Sequence, residues 1–274
     1  MPCDGVHPLF EHGETRIGYS ICDGCDSPRD RNTRLADHVM VTLQGRFSVR
    51  HRRGRVVFDP SRAAMYRSSD DYSTFHPDGG DRGLIITSPA INARLEPWQS
   101  VAISAEGQVR LHDLTARLQS GEADVLGVEE TLAMVFDFDR TPPRASARAR
   151  AKAEEIAHEV ATHFDQPLPL ATLSQQVGLS PFAATRLFRG ATGFTIHQYQ
   201  VELRLRHALA LLMQTDQPLA QIAVATGFAN QGHFGNHFRR RYGVPPGRAR
   251  SAEGLKLLVA DGRTLNAVDS RKDV

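Results

Sequence analysis

Apolar residues in the first hundred positions form short runs that alternate with turn-forming residues. Five runs, rich in β-branched and aromatic side chains, are bounded by Gly, Pro, Asp or Ser at a spacing of about ten residues. These runs cover residues 38–43, 45–52, 54–59, 62–68 and 82–88. Short strands at such a spacing are typical of a small antiparallel barrel or sandwich. The pattern predicts that the first half of the chain is built mainly from β-strands.

Beyond these strands the apolar period becomes helical. One segment has apolar residues at 109, 111, 114 and 118, and a second has them at 125, 128, 132 and 135. Adjacent prolines at 142 and 143 then disfavour a continuous helix, and a small, basic stretch follows them. We therefore predict a first domain over residues 1–140, a linker over 141–150, a helical domain over 151–250 and a loose extension over 251–274.

The helical half contains an internal repeat. Residues 170–193 and 219–243 both begin with Leu-Ala, continue as a short helix to a glycine, and then form a second helix that ends near another glycine. The first glycine permits the positive φ of a tight turn, and Ser180 or Asn230 can accept the unpaired N–H groups of the second helix. Each unit is thus predicted to be a helix-turn-helix. A long amphipathic helix between them joins the two units.

This tandem arrangement resembles the C-terminal domain of a known family. The segments "YQVELRLRHALALLMQTDQPLAQIA" and "IAVATGFANQGHFGNHFRRRYGVPPGRAR" are similar to the connecting helix and the C-terminal signature of the AraC family of bacterial transcription regulators. The resemblance covers residues 147–250. It implies a DNA-binding domain whose two recognition helices enter successive major grooves on one face of double-stranded DNA.

The first half has a weaker resemblance to the same family. The segment "FHPDGGD" is similar to one found in regulators that carry a cupin-like sensory barrel. The fold class implied is α+β. It comprises an N-terminal cupin-like β-barrel with two following helices, and an all-α C-terminal domain of two helix-turn-helix units joined by a long helix.

Helical spacing assigns the sides of both recognition helices. Phe234 and Phe238 are four residues apart and are predicted to pack inward, as is Phe188 in the first unit. The opposite sides carry side chains suited to DNA, because Gln and Asn pair with adenine edges and Arg reaches phosphate or guanine. The predicted DNA-binding residues are Phe182, Thr185, Arg186, Arg189, Gln231, His233, Asn236, Arg239 and Arg240.

The end of the second recognition helix admits two other interpretations. The three arginines at 239–241 are predicted to bind phosphate, although an isolated run of this kind is usually a solvated face. His233 and His237 stand at i and i+4, a spacing that suits zinc. No Glu or Cys lies nearby in the sequence to complete the coordination, so contact with DNA is preferred over a metal site here.

Charge is distributed unevenly between the two halves. Residues 1–145 hold 17 Arg or Lys against 21 Asp or Glu, a net charge of −4, whereas residues 146–274 hold 16 against 10, a net charge of +6. Attraction to phosphates depends on local charge, so only the second half is expected to meet a polyanion. The sequence has neither an export signal nor an apolar run long enough to span a membrane, so we expect a cytoplasmic protein without a membrane partner.

Candidate chemistry of the first half lies in "CDGCDSPR". Cys22 and Cys25 have the C-x2-C spacing of a zinc half-site or a redox pair, and His38 and His76 occur near the predicted strands. Zinc bound by these four residues is the candidate cofactor, and the sequence makes no cofactor certain. The alternative is that the cysteines are small loop residues and the histidines are ordinary polar surface.

An enzymatic function is disfavoured. Some proteins join an AraC-like module to a zinc domain whose four cysteines accept methyl groups from damaged DNA, but this chain has three cysteines. The sequence contains no convincing Ser-His-Asp set, Gly-rich phosphate loop or pair of carboxylates. The protein is therefore predicted to be a sequence-specific transcription regulator that binds DNA, and not an enzyme.

The family resemblance carries further expectations about partners. It implies an activator that contacts RNA polymerase, under the control of a small-molecule effector or another signal at the N-terminal half. That half is also expected to mediate a homodimer. Two alternatives stay open, a regulator that responds to metal or thiol oxidation through Cys22 and Cys25, and a methyl-accepting DNA-repair regulator.

Overall fold

A computed structural model describes residues 6–23, 25–30, 37–51, 54–67, 72–76, 80–92, 100–136, 146–251 and 258. The described part of the first half is rich in strands. They are β1 (Val6–His12), β2 (Thr15–Cys22), β3 (Cys25–Asp30), β4 (His38–Gly45), β5 (Phe47–His51), β6 (Gly54–Phe58), β7 (Arg62–Tyr66), β8 (Tyr72–His76), β9 (Asp81–Thr87) and β10 (Ser100–Ala102). The five predicted strands correspond to β4, β5, β6, β7 and β9.

These strands pair into two antiparallel sheets. The six-stranded sheet has the order β1-β2-β9-β4-β7-β10, and the four-stranded sheet has the order β3-β8-β5-β6. Among the described strands none pairs across from one sheet to the other, so the predicted barrel is not closed. The chain passes between the sheets at bends such as Gly45 and Gly80, whose φ values of 77° and 64° suit glycine. Because pairing stops at these bends, an open pair of sheets results.

Both faces of the six-stranded sheet are covered. On β4 the side chains of Val39, Val41 and Leu43 alternate onto one face, where they pack with the helices α2 (Ala105–Ser120) and α3 (Val125–Val135). On the other face Tyr66 packs with Phe47 and other residues of the four-stranded sheet. The two helices predicted after the strands are thus confirmed. A short helix, α1 (Pro89–Asn92), precedes them.

The second half is helical, as the period predicted. Its helices are α4 (Ala147–Thr162), α5 (Leu170–Gln176), α6 (Pro181–Thr192), α7 (Ile196–Gln214), α8 (Leu219–Ala225), α9 (Gln231–Tyr242) and α10 (Pro246–Ala249). The long helix α7 begins with a capping box, in which Thr195 and Gln198 each accept the backbone N–H of the other. Of the predicted C-terminal extension, Ser251 and the buried Leu258 are described, and the rest lies outside the described residues. None of the described helices is long and apolar enough to cross a membrane.

Each helix-turn-helix unit shares a core with a different element of the first half. Val57 of β6 packs in the cluster of the first unit, which contains Phe188 and Leu203. Ala105 and Val109 of α2 pack in the cluster of the second unit, which contains Phe234, Phe238 and Tyr242. Helix α2 therefore contributes side chains to two cores. Val109 faces the helical half, and the apolar residues that follow it face the sheet.

Two buried histidines make the stability of this fold depend on pH. Burial lowers the pKa of His112 in α2, and that of His207 in α7, from 6.5 to about 4. The imidazole of His207 stacks on the ring of Phe164 with ring centroids 4.1 Å apart, and this contact shields it from water. Both histidines therefore stay neutral in the folded chain over a range in which the unfolded chain binds protons.

We expect the free energy of unfolding to decrease as the pH falls from 6.5 toward 4. The unfolded state then binds one more proton at each histidine, so each contributes a slope of about 1.4 kcal/mol per pH unit. Urea denaturation at a series of pH values measures this slope. The variant with His112→Gln and His207→Gln should show a shallower dependence, and an equal slope in parent and variant would contradict the assignment.

Candidate nucleic-acid interface

The helices α6 and α9 are built in the same way. Each has twelve residues, begins at a polar N-cap and ends at a left-handed glycine. The hydroxyl of Ser180 accepts from the N–H of Ala183, and the side-chain oxygen of Asn230 accepts from the N–H of His233. Both helices thus have the predicted caps, which fix where each helix begins.

The turns before these helices differ by one residue. Gly178 and Gly227 adopt φ values of 68° and 80°, as a tight turn requires. One residue separates Gly178 from its N-cap, whereas Phe228 and Ala229 separate Gly227 from Asn230. Phe228 is buried against Phe234, so the additional residue anchors the second turn in its core.

The predicted DNA-binding side chains lie on the outer surface. Eight of the nine residues are exposed, and the ninth, Thr185, is half-buried. The predicted core residues Phe188, Phe234 and Phe238 are each fully buried. The two helices therefore each present a polar or basic side away from the core. The exposed predicted residues are Phe182, Arg186 and Arg189 on α6, and Gln231, His233, Asn236, Arg239 and Arg240 on α9.

Two residues of α6 are held by local contacts. Phe182 is 74% exposed, and the guanidinium carbon of Arg186 lies 5.6 Å from its ring centroid. This cation–π contact orients Arg186 along the outer side of the helix. The hydroxyl of Thr185 instead donates to the carbonyl of Pro181 at 3.0 Å, within its own helix.

The histidine pair of α9 is part of an aromatic group. The rings of His233 and His237 lie 4.7 Å apart, and both lie next to the ring of Phe228. Burial, followed by the charges of His233, Arg240 and His197, lowers the pKa of His237. The same basic surroundings that suit an anion thus keep this imidazole neutral.

The structure corrects the assignment of the third arginine at 239–241. Arg239 and Arg240 are exposed, but Arg241 turns inward and its side chain is 10% exposed. Its Nε donates to a carboxylate oxygen of Glu202 in α7 at 2.8 Å. The helical period explains this result, because Arg241 follows Phe238 by three residues and so lies on the core side of α9. Arg241 is therefore unavailable to phosphate.

Glu202 joins two helices through a buried ion-pair network. Its carboxylate also accepts from Nε of Arg206 at 2.8 Å, and the side chains of Glu202 and Arg206 are 8% and 4% exposed. Burial alone would raise the pKa of Glu202, but the adjacent guanidinium groups of Arg206 and Arg241 outweigh burial and lower it. Glu202 therefore stays ionised between its two partners.

The network continues into the first half of the chain at the turn between β6 and β7. Arg206 donates to the carbonyl of Pro60 at 2.9 Å, and the hydroxyl of Tyr199 lies 3.2 Å from Oδ2 of Asp59. The amide of Gln108 in α2 donates to the carbonyl of Arg206 at 3.1 Å. Arg206 thus connects the turn at 59–61 with helix α2, and its partner Glu202 extends the network to the end of α9.

The predicted metal ligands are only partly brought together. Cys22 lies with His76 and with Asp81, a residue absent from the predicted set, and the ligand atoms of all three lie within 4.8 Å of one another. His38 lies elsewhere on β4, stacked on Tyr66. The backbone of Cys25 pairs with that of His76, while its side chain lies outside the described part of the chain.

Sequence analysis missed the residues whose partners are distant in the chain. Glu202 is a charged residue within the apolar stripe of α7, and that mismatch is the signal that it has buried counter-ions. Asp81 lies in "HPDGGD", a segment whose local sequence does not indicate what the carboxylate contacts. The sequence around Asp59 contains no such mismatch between a charged residue and an apolar pattern.

Comparison with known proteins assigns the helical half to a recognised type of domain. A family model described as a helix-turn-helix domain matches residues 173–252. The HTH-type transcriptional activator RhaR of Klebsiella pneumoniae subsp. pneumoniae is 30% identical over 141 residues, covering 51% of this chain and 50% of that protein. The HTH-type transcriptional regulator ArgR of Pseudomonas aeruginosa is 33% identical over 205 residues, covering 71% of this chain and 59% of that protein.

A solved structure is similar over part of this chain. It is a transcriptional regulator from Chromobacterium violaceum, described as an AraC-type DNA-binding domain-containing protein. It is 27% identical, covers 43% of this chain and 96% of that chain, and has a TM-score of 0.35. The chain spans about half the length of the curated relatives it matches. These relatives are named as transcription regulators and not as enzymes.

Proposed function

We propose, from the AraC-type helix-turn-helix domain that the chain carries at residues 173–252, that the protein is a sequence-specific DNA-binding regulator of transcription. The observation that carries this proposal is the repetition of one helix type. Helices α6 and α9 share length, caps and buried phenylalanines, and both keep a polar or basic side exposed. Two such helices in one domain suit successive major grooves of double-stranded DNA.

Roles within the interface follow from side-chain chemistry. Gln231 and Asn236 carry amides that pair with adenine, and Arg186 suits guanine. Arg189, Arg239 and Arg240 stand toward the helix ends, where they suit phosphates. Phe182, with 74% of its surface exposed, suits an apolar contact such as a thymine methyl group. His233 and Thr185 complete the set as polar contacts.

Control by a small effector at the first half is supported by a cleft of about 640 Å³. It lies between the turn that joins β1 to β2, helix α1 and helix α3, and its volume is in the range of small-molecule sites. Helix α2 packs beside α3, and the side-chain amide of its Gln108 donates a hydrogen bond to the carbonyl of Arg206 in α7. A change at the cleft therefore has a contiguous route through α3 and α2 to the helix that joins the two DNA-reading units.

The remaining parts of the proposal rest on family resemblance. We propose that the protein is cytoplasmic, that it activates transcription, and that it contacts RNA polymerase in doing so. The Klebsiella relative is named a transcriptional activator. A homodimer is proposed through α3, where Leu126 and Met134 are 64% and 56% exposed. Both side chains lie on one stripe of the helix, since they are eight residues apart.

The test begins with the selection of binding sites from a library of random duplexes by the full-length protein. Gel-shift titration on the selected site, at fixed salt, then measures the Arg186→Ala and Asn236→Ala variants. We expect affinity to fall roughly 5- to 150-fold for each, since a base contact contributes about 1–3 kcal/mol. For Arg239→Ala and Arg240→Ala, the slope of log affinity against log salt should decrease by about 0.9 each.

Matched controls separate base contact from charge and stability. Arg148→Ala on α4 and Gln214→Ala on α7 remove exposed side chains of the same type outside the two recognition helices. These two variants should bind the selected duplex as the parent does. The Arg186→Ala, Asn236→Ala, Arg148→Ala and Gln214→Ala variants should all keep the parent's thermal stability. Failure to enrich any sequence, or an unchanged affinity of Arg186→Ala and Asn236→Ala, would contradict the proposal.

A further inference from the structure

We propose that Cys22, His76 and Asp81 form a zinc-binding site at one end of the two sheets. The thiol, imidazole and carboxylate come from three strands, β2, β8 and β9, and their ligand atoms lie within 4.8 Å of one another. Cys22 and Asp81 are 3% and 1% exposed, and the His76 side chain is 10% exposed. The site lies in the first half of the chain and does not depend on the proposed binding of DNA.

The strand register is what assembles these residues. Cys22 pairs directly with Asp81 at the end of the six-stranded sheet, where β2 and β9 run antiparallel. Gly80 lies so close to the backbone of Cys22 that a Cβ at this position would stand 1.8 Å from the Cys22 carbonyl oxygen. His76 ends β8 of the four-stranded sheet, and its Nδ1 contacts Oδ1 of Asp81. The group therefore forms where the chain passes from one sheet to the other.

One oxygen of this group is buried without a hydrogen-bond partner. Oδ2 of Asp81 has no donor within the described structure, although the residue is almost fully buried. A buried carboxylate oxygen that accepts no hydrogen bond is unfavourable, because it has lost its contacts with water without replacing them. A cation next to Cys22 and His76 would satisfy this oxygen.

The ligand chemistry selects zinc among common cations. A thiolate and an imidazole exclude magnesium and calcium, which take oxygen ligands, whereas zinc accepts sulfur, nitrogen and oxygen together. At bond lengths of 2.0–2.3 Å the ligand atoms of tetrahedral zinc stand about 3.3–3.8 Å apart. A pair of ligand atoms at the 4.8 Å limit would therefore approach by about 1 Å, whereas Nδ1 of His76 and Oδ1 of Asp81, which are already in contact, would move slightly apart. Binding releases the thiol proton of Cys22 to solvent, and the metal takes the place of any proton shared by His76 and Asp81.

Such a site would link the two sheets through one ion. Cys22 and Asp81 belong to the six-stranded sheet and His76 to the four-stranded sheet. Because zinc binds the folded chain with three ligands that are separated in the unfolded chain, it stabilises the fold by mass action. The melting temperature of the metal-free protein is accordingly expected to rise on addition of zinc.

The test measures metal in the untagged, full-length protein after expression in zinc-supplemented medium and desalting. Inductively coupled plasma mass spectrometry should find about one zinc per chain in the parent and less than about a tenth of that in Cys22→Ser and Asp81→Asn. The matched control is Asp23→Asn, which alters a neighbouring carboxylate that is 68% exposed and should retain zinc. Equal zinc in Cys22→Ser and in the parent would overturn the site.

A second measurement needs no variant, so it decides the matter if a substitution prevents folding. The parent protein is stripped with a chelator and titrated with Co²⁺. We expect a thiolate-to-cobalt charge-transfer band that saturates at about one equivalent, with the visible bands of tetrahedral cobalt. Absence of this band, together with no zinc in the purified parent, would overturn the proposal. Neither measurement involves DNA, so each outcome is independent of the gel-shift results.

Discussion

Glu202→Gln is expected to lower the free energy of unfolding by about 3 to 5 kcal/mol. The substitution preserves shape but removes a negative charge that both Arg206 and Arg241 contact. Those arginine side chains are 4% and 10% exposed, so water solvates their charges poorly. Urea denaturation at pH 7 measures the loss, and a change below about 1 kcal/mol would show that the network does not exclude water.

A matched control distinguishes burial from charge. Glu155 is 50% exposed and pairs with Lys152, which is 33% exposed, on the surface of α4. Glu155→Gln should change the free energy of unfolding by less than about 1 kcal/mol. Replacing Glu202, Arg206 and Arg241 together by apolar residues should restore part of the loss, because the main cost of the single substitution is the unpaired buried charge.

Gly227→Ala is expected to destabilise the protein by about 3 to 5 kcal/mol, through the sum of a backbone and a steric cost. Its φ of 80° disfavours any residue with a Cβ, and the added Cβ would stand 2.3 Å from the carbonyl oxygen of Asp165. The obstacle is backbone, which is held in turn because Phe164 and Gln166 accept hydrogen bonds from α7. Neither the turn at Gly227 nor the backbone at Asp165 is therefore free to move.

The equivalent position in the first unit provides the control. Gly178 has a similar φ of 68°, but nothing lies within 4 Å of an added Cβ. Gly178→Ala should therefore cost only the conformational part, about 1–2 kcal/mol. The difference between the two variants in thermal or urea unfolding measures the close approach at Gly227. Equal losses would contradict a steric role for Asp165.

Local features of the helical half could be predicted from sequence because their causes are local. The caps at Ser180 and Asn230 and the turns at Gly178 and Gly227 depend on residues within one helical turn. The inward position of Phe234 and Phe238 follows from the helical period alone. The same period also places Arg241 inward, yet its charge favoured a phosphate role until the partner 39 residues away was visible.

Features of the first half depend on pairings between distant residues. Strand β1 carries His, Pro and Glu with little apolar alternation, so only its pairing with β2 marks it as a strand. Closure of the barrel was predicted from strand spacing, which does not determine where ladders end. Asp81 joins Cys22 through a pairing across 59 positions, and no local pattern indicates such a register. The choice of Cys22, Cys25, His38 and His76 as ligands accordingly remains a prediction, with Asp81 as an addition from the structure.

The two recognition helices share a backbone but not their outer side chains. Phe182, Thr185 and Arg186 occupy the positions that Gly232, Gly235 and Asn236 occupy in α9, counted from the N-caps. A binding site that is contacted by two different helices has a defined direction along the duplex, even when a single chain binds it. Inverting such an operator would point the sheet-containing half toward the opposite flank. A palindromic site is the same in both directions and so has no orientation relative to a promoter. The site of a regulator with two different recognition helices does have one.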